Sequence, residues 1–341
     1  MDIRDLTQEE LQQAVLDAGE KAFRAKQIGE WLWKKGIGSF SEMNNVGKEL
    51  KEKLSASYTF HRAAIAVECK SSDKTVKFGF RLHDGKMIEG VLIPAEKRVT
   101  ACVSTQVGCA MHCAFCATGQ MGFIRNLQAY EIFDQFVLMN AKAIEYYGNP
   151  ISNIVYMGMG EPLLNFKQVM RSIDILTGKD GQGLSPQRIT LSTAGIIEGI
   201  RKLADRNFRP GLAVSLHSAD PKKRPELMPV TLHNPLEALQ DALKYYHQKT
   251  AERVTFEYLL LDGINDSLRD AEMLAAYCRP FPVKINLIEF NATDSPFQKS
   301  SQENVRQFIQ FLESRNMVVN LRRSRGKDID AACGQLIKKN S

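Results

Sequence analysis

Three cysteines fall within eight residues, as Cys109-x3-Cys113-x2-Cys116. Thiolates at this spacing can hold an iron–sulfur cube, which takes one thiolate per iron and normally four in all. Three donors in one tight loop leave one iron without a protein ligand. An open metal position is where substrate chemistry occurs. The alternative is a structural zinc, which wants a fourth Cys or His. His112 sits inside the loop but directly beside Cys113, where it is poorly spaced to serve.

Other residues of chemical type stand at the ends of predicted strands. Gly158 and Gly160 follow the apolar run Ile154–Met157, where glycine lets a ligand approach the backbone, and Glu161 can accept from an ammonium. Ser192, Ser215, Leu216 and His217 end two later runs. Glu89 is the single charge between Met87 and Ile93, so it lies either on a sheet edge or in a desolvated place that suits a general base. Cys333 follows Arg322, Arg323, Arg325 and Lys327, and cationic surroundings raise a thiol's thiolate fraction. Cys102 reads as a buried apolar cysteine on a short strand. Cys69 and Cys278 match no motif and read as structural.

The elements that must position these groups follow from periodicity. Thr7 and Glu10 fit a capping box ahead of Leu11, Val15 and Leu16. Further helical runs carry Phe23, Gln27, Ile28, Trp31 and Leu32, then Val46, Leu50 and Leu54. Residues 1–60 therefore read as a small helical domain. Residues 75–82 and 87–93, joined through Asp84-Gly85, predict a β-hairpin in a linking region 61–94. From residue 95 to 328, short β-branched runs at 154–157, 189–192, 212–216, 254–260, 283–288 and 317–321 alternate with helical stretches. About six βα units imply an α/β fold with a parallel sheet curled into a full or partial barrel. Ligand chemistry then belongs at the carboxyl ends of the strands. Residues 329–341 form a tail that carries Cys333.

The chain has 341 residues with net charge +6, 44% hydrophobic and 25% charged. That composition excludes wholesale disorder and a disulfide scaffold. Acidic residues at the N-terminus, an odd count of seven cysteines and no run of about 20 apolar residues point to a cytoplasmic protein without membrane spans. Lys34-Lys35, Lys48/Lys51/Lys53, Lys222-Lys223-Arg224 and Arg322–Lys327 are local basic sites, read first as solvated faces.

Cys109-Ala-Met-His-Cys113-Ala-Phe-Cys116 resembles the cysteine motif of radical S-adenosylmethionine (SAM) enzymes, which bind SAM to the open iron of a [4Fe–4S] cluster and cleave it to a 5′-deoxyadenosyl radical. Val103-Ser-Thr-Gln-Val-Gly108, Gly158-Met-Gly-Glu-Pro162, Leu191-Ser-Thr193, Ser215-Leu-His217, Leu261-Asp-Gly-Ile-Asn265, Asn286-Leu-Ile288, and Arg322-Arg-Ser-Arg-Gly326 followed by Asp330-Ala-Ala-Cys-Gly-Gln-Leu336 narrow the match. Together they resemble the dual-specificity RNA adenine methyltransferases over essentially the whole chain.

The resemblance implies a partial (β/α)6 barrel with a helical RNA-binding N-terminal domain. It implies methylation of carbon 2 of one adenosine in 23S rRNA, at the peptidyl transferase centre, and of the adenosine 3′ to the anticodon in tRNA. Cys109, Cys113 and Cys116 are the implied cluster ligands. Gly160, Glu161, Ser192, Ser215, Leu216, His217 and Asn291 are the implied SAM contacts; Asn286 competes with Asn291, because Glu289-Phe290 departs from the family's wording. Cys333 is the implied methyl carrier, Glu89 the proton acceptor, and Cys102 the resolving cysteine that forms a transient disulfide with Cys333. An electron donor such as flavodoxin and a monomeric state are further expectations. Two other readings stand beside this one: the related resistance-type branch that methylates carbon 8, and a non-catalytic zinc-bearing RNA-binding protein.

Overall fold

The computed structural model describes residues 1–96, 98–291 and 295–336. The last five residues of the tail expected over 329–341 lie outside the described residues.

The N-terminal helices form where the apolar spacing predicts. In α1 (Gln8–Asp17) the Thr7 hydroxyl accepts from Glu10 N–H while the Glu10 carboxylate accepts from Thr7 N–H. This closes two otherwise orphaned donors. α2 (Phe23–Gly29) runs on through a π turn to Lys34, and α3 (Lys48–Ser57) completes the group. Ile3, Leu11, Val15, Ile28, Leu32, Met43, Leu50 and Leu54 make a core separate from that of the barrel. The domain is riveted to the rest by Arg4, fully buried, which bonds Asp2 and Asp134. Arg171 adds bonds to the carbonyls of Arg4, Asp5 and Leu6.

The sheet begins with β1 (Ala64–Lys70), β2 (Val76–Arg81), β3 (Met87–Ala95) and β4 (Arg98–Cys102). The expected hairpin is β2–β3, turned at Gly85 with φ 78°. β1 extends it to three antiparallel strands, and β4 joins antiparallel to β3. The segment is thus continuous with the barrel sheet. β5 (Gln106–Gly108), α4 (Ala117–Gln120) and β6 (Phe123–Asn126) form a small ribbon around the cysteine loop.

Then the chain alternates: α5 (Ala129–Tyr147), β7 (Asn153–Tyr156), α6 (Phe166–Thr177), β8 (Ile189–Thr193), α7 (Ile197–Asp205), β9 (Gly211–Ser215). A short α8 (Lys223–Leu227) precedes α9 (Leu236–Thr250), β10 (Val254–Leu260), α10 (Leu268–Cys278), β11 (Val283–Glu289), α11 (Gln302–Ser314) and β12 (Val318–Arg322). The order across the sheet is β1-β2-β3-β4-β7-β8-β9-β10-β11-β12, parallel from β4 onward. β4, and not β7, opens the first of six βα units, and β12 is a seventh parallel strand after the last. β1 and β12 stay unpaired with each other, so the barrel is partial.

After β12 the chain folds back across the antiparallel end. The Asp328 carboxylate accepts from Ser71 Oγ at 2.6 Å and Ser72 N–H at 3.0 Å, and Asp73 accepts from Gly326 N–H at 3.0 Å. Beyond Cys333, the Gly334 and Leu336 carbonyls accept from Ala117 N–H and Thr118 Oγ1 of α4. The tail is thus pinned on both sides of the cysteine.

Candidate active site

A cavity opens at the carboxyl ends of the parallel strands. Cys109, Cys113 and Cys116 line one side of it, and Gly160, Glu161, Ser192, Ser215, His217 and Asn291 line the strand ends. Cys333 reaches the same cavity from the tail. Leu216, Cys102 and Glu89 do not line it. Leu216 is fully buried in the barrel core.

Each strand end is shaped by its sequence. Gly160 adopts φ 99°, and a Cβ there would lie 2.5 Å from Gln106 Cβ. Glu161 is 3% exposed, and its two oxygens accept from Leu163 N–H at 3.0 Å and Ala194 N–H at 2.7 Å. Burial still pushes this carboxyl up to about 7, against those bonds. His217 is held in the left-handed region at φ 55° and its Nδ1 accepts from Leu259 N–H at 2.9 Å. Burial, reinforced by Arg224, lowers its pKa to about 3. The neutral ring therefore carries its proton on Nε2, a donor available to the cavity. Phe115, the aromatic residue before the last loop cysteine, meets His217 edge-on at 4.7 Å.

Arg224 is no part of a solvated basic face. It is fully buried and bonds the carbonyls of Leu216, Ala194 and Ser215 and the Thr231 hydroxyl, tying two adjacent strand ends together. Its neighbour Lys223 pairs with Asp270 at 2.6 Å. In the N-terminal domain, Lys48 pairs with Glu52 and Lys53 with Glu49. Two of the five lysines expected there as basic faces are thus paired within the domain.

Asn291 and Asn286 separate clearly. Asn286 donates to Glu257 Oε1 at 2.9 Å and lies outside the cavity lining. Asn291 lines the cavity, is 5% exposed, and neither Nδ2 nor Oδ1 has a hydrogen-bond partner among the described residues. A buried amide left unmet is costly, and one that faces a cavity is shaped for a ligand.

Glu89 does not lie on an edge. β3 is paired on both sides, and Glu89 is 6% exposed. The register sets Lys77 and Cys102 opposite Val91 on either side, so Lys77, Glu89 and Cys102 share one sheet face. Lys77 Nζ stands 3.5 Å from Glu89 Oε1. Burial pushes the Cys102 thiol up to about 12, its neighbour Cys333 adding to the rise and Arg322 opposing it. Both cysteines are free thiols.

Glu257 escaped the sequence reading; it lines the cavity in an ion pair at 3.0 Å with Arg322, which was read only as one of a basic run. Glu257 is a lone carboxylate in the apolar run of β10, the same signal that singled out Glu89.

The donor set fits an iron–sulfur cluster with SAM. Burial raises the pKa of all three loop thiols, Cys109 to about 11, so a bound metal is what would hold them as thiolates. Among the described residues, no three His, Cys, Asp or Glu side chains converge on a single-ion position. Cube ligands do not need to converge, since each takes its own iron. The unmet Asn291 amide supplies polar contacts for a ligand beside it.

Comparison with known proteins agrees with this arrangement. Residues 1–59 match the family model described as ribosomal RNA large subunit methyltransferase N-terminal domain, and residues 103–275 match the radical SAM superfamily. The probable dual-specificity RNA methyltransferase RlmN of Cytophaga hutchinsonii is 48% identical over 98% of this chain and 92% of its own. The Flavobacterium johnsoniae protein of the same description is 46% identical over 100% and 98%. The crystal structure of a radical SAM methyltransferase from Sphaerobacter thermophilus superposes with TM-score 0.93 at 40% identity, covering 98% of this chain and 99% of that one. A three-cysteine loop, a partial barrel and a cysteine-bearing tail, matched end to end by these relatives, make the chain a member of the RlmN family of radical SAM dual-specificity RNA methyltransferases.

Proposed function

We propose that this protein methylates carbon 2 of one adenosine in 23S rRNA and of the adenosine 3′ to the anticodon in tRNA. The observation that carries the reading is the meeting of Cys333 with the three-cysteine loop in one cavity. Carbon 2 of adenine is electron-poor and does not attack a sulfonium methyl, so a carrier and a radical step are needed.

Cys109, Cys113 and Cys116 would hold a [4Fe–4S] cluster whose open iron, given one external electron, cleaves SAM to the 5′-deoxyadenosyl radical. Gly160, Glu161, Ser192, Ser215, His217 and Asn291 would seat SAM; Leu216, also expected as a contact, is buried behind them with its N–H bonded to the Glu257 carbonyl and its own carbonyl to Arg224. The Cys333 thiolate takes a methyl from a first SAM by displacement: the new bond forms at Sγ as the sulfonium–methyl bond breaks. Loss of one hydrogen atom from that methyl to the 5′-deoxyadenosyl radical would let the carbon bond the ring, and the adduct would then return one electron to the cluster and give its ring proton to Glu89. The Cys102 thiolate would bond Cys333 Sγ as the carbon–sulfur bond breaks with its electron pair on the carbon, which takes a proton from solvent; methylated RNA remains, with a Cys102–Cys333 disulfide for an external reductant. Closure of the cavity around the base excludes water from the radical.

The remaining assignments belong to the same reading. Residues 1–60 are an RNA-binding domain, 61–94 a linking β region, 95–328 the catalytic core and 329–341 the tail. The protein works as a cytoplasmic monomer, with a flavodoxin-like electron donor. No helix among the described residues is long and apolar enough to cross a membrane.

The test is anaerobic reconstitution with iron and sulfide, turnover on rRNA and tRNA, and nucleoside mass spectrometry. The expected product is 2-methyladenosine in both RNAs. Its absence despite an intact cluster refutes the reading, and 8-methyladenosine moves the protein to the related resistance-type branch.

A further inference from the structure

The geometry points to Lys77 as a positioning residue that joins the Glu89 carboxylate to the loop carrying Cys333, so that release of the methylated base depends on it. The inference rests on the roles proposed above for Glu89 and Cys333.

Lys77 lies in β2, inside a sheet, and is 8% exposed. A buried ammonium is costly unless its protons are met. Here they meet two groups of different origin. One is Glu89 Oε1 at 3.5 Å, and the other is the Asp330 carbonyl at 3.4 Å, three residues before Cys333. Asp330 is held in the left-handed region at φ 51°, which turns its carbonyl out of any regular element. The turn between β1 and β2 also grips the tail at Gly326 and Asp328, through Ser71, Ser72 and Asp73. Lys77 is therefore the point where the tail clamp meets the proposed base.

Two effects follow for one step. The ammonium draws the Glu89 carboxylate toward it and fixes where its oxygens stand. It also fixes the Asp330 turn, and with it the approach of Cys333 to the face shared by Glu89 and Cys102. In the step itself the proton passes from the ring carbon to a Glu89 oxygen, and the electron pair of that C–H bond stays with the ring. Lys77 neither gains nor loses a proton. Cluster binding and SAM cleavage, on the far side of the cavity, do not use it.

The experiment compares Lys77→Met, Lys77→Gln and Lys77→Arg in the reconstituted enzyme, with Glu89→Gln alongside. Three quantities are read in each: 5′-deoxyadenosine formed, covalent protein–RNA adduct on a denaturing gel, and methylated nucleoside. Lys77→Gln keeps a donor for Asp330 but removes the charge beside Glu89. The expected result is release slowed roughly 10- to 100-fold in the Met and Gln variants, with adduct accumulating and 5′-deoxyadenosine within about twofold of the parent. Lys77→Arg restores release. A parental ratio of adduct to product in both neutral variants overturns the inference. So does a loss of 5′-deoxyadenosine in step with product, which marks Lys77 as a fold staple. If Glu89→Gln itself yields no adduct, the proposed role of Glu89 fails, and the inference with it.

Discussion

Replacing Asn291 by leucine should raise stability and weaken SAM binding at once. The side chain is 5% exposed, and both polar atoms lack partners among the described residues. Leucine is close in size, so no cavity opens and no new polar group is buried. Each unmet buried group costs about 1–3 kcal/mol. Relief of two, discounted for partial hydration from the cavity side, comes to about 2 kcal/mol in the ligand-free protein. For a chain of this length that is a rise in melting temperature of roughly 2–4 °C. SAM loses the hydrogen bonds the amide would make, about 1.5–3 kcal/mol for bonds to charged groups, hence roughly 10- to 100-fold in affinity. Differential scanning fluorimetry without ligand and equilibrium dialysis with SAM, both anaerobic, read the two effects. The opposite signs are the diagnostic: a purely structural asparagine would lose stability on replacement and leave SAM affinity unchanged, and that result refutes the reasoning.

Glu161, raised to about 7 from an ordinary 4.5, is protonated in the folded ligand-free protein at a pH where the unfolded chain has released that proton. Stability should therefore fall as pH rises from about 4.5 to 7, by roughly 3 kcal/mol, and Glu161→Gln should flatten that slope in pH-dependent denaturation. Gly160→Ala forces a Cβ to within 2.5 Å of Gln106 at φ 99° and should cost about 1–3 kcal/mol with a matching loss of SAM affinity, seen by melting and dialysis. Arg224→Met abandons four acceptors at two strand ends and should lower stability by about 3 kcal/mol; a melting curve like the parent's contradicts the stapling role. Cys102→Ala should leave a covalent protein–RNA species on a denaturing gel, and normal turnover in that variant removes Cys102 from the release step.

What the sequence made legible was local. The cysteine spacing, the Thr7–Glu10 capping box and the Asp84-Gly85 turn each involve residues a few positions apart, where geometry follows from the chain itself. The six βα units were legible from period alone. β1 was missed although Ile65, Val67 and Cys69 alternate with Ala66, Glu68 and Lys70; that face is only half-buried, and what holds the strand is its pairing with β2, a tertiary contact. Glu89 leaned toward an edge because β4 pairs with β3 through a register that no local pattern states. Arg224 sat unnoticed in a basic run, since only the fold brings Leu216, Ala194 and Thr231 around it. Glu257 and Arg322 find each other from β10 and β12, with β11 between them.

The charge distribution bears on how RNA is held. Residues 1–60 contain nine Lys and Arg against ten Asp and Glu, so the N-terminal domain is close to neutral and the whole excess lies in the remainder of the chain. Ion pairs on its helix faces cancel much of what basic charge it has. A domain of that balance contributes little of the salt-dependent phosphate attraction that dominates nucleic-acid affinity. On the proposed reading of residues 1–60 as an RNA-binding domain, its contribution would be one of shape and a few directed contacts. The rigid mount supports this: Arg4 and Arg171 lock the domain to α5 and α6 through buried bonds, which fixes its distance from the cavity mouth. After β12, Arg325 faces Asp73 at 4.0 Å and Lys327 pairs with Glu289 at 3.4 Å, so part of the positive charge on the segment that carries Cys333 is met within the protein as well.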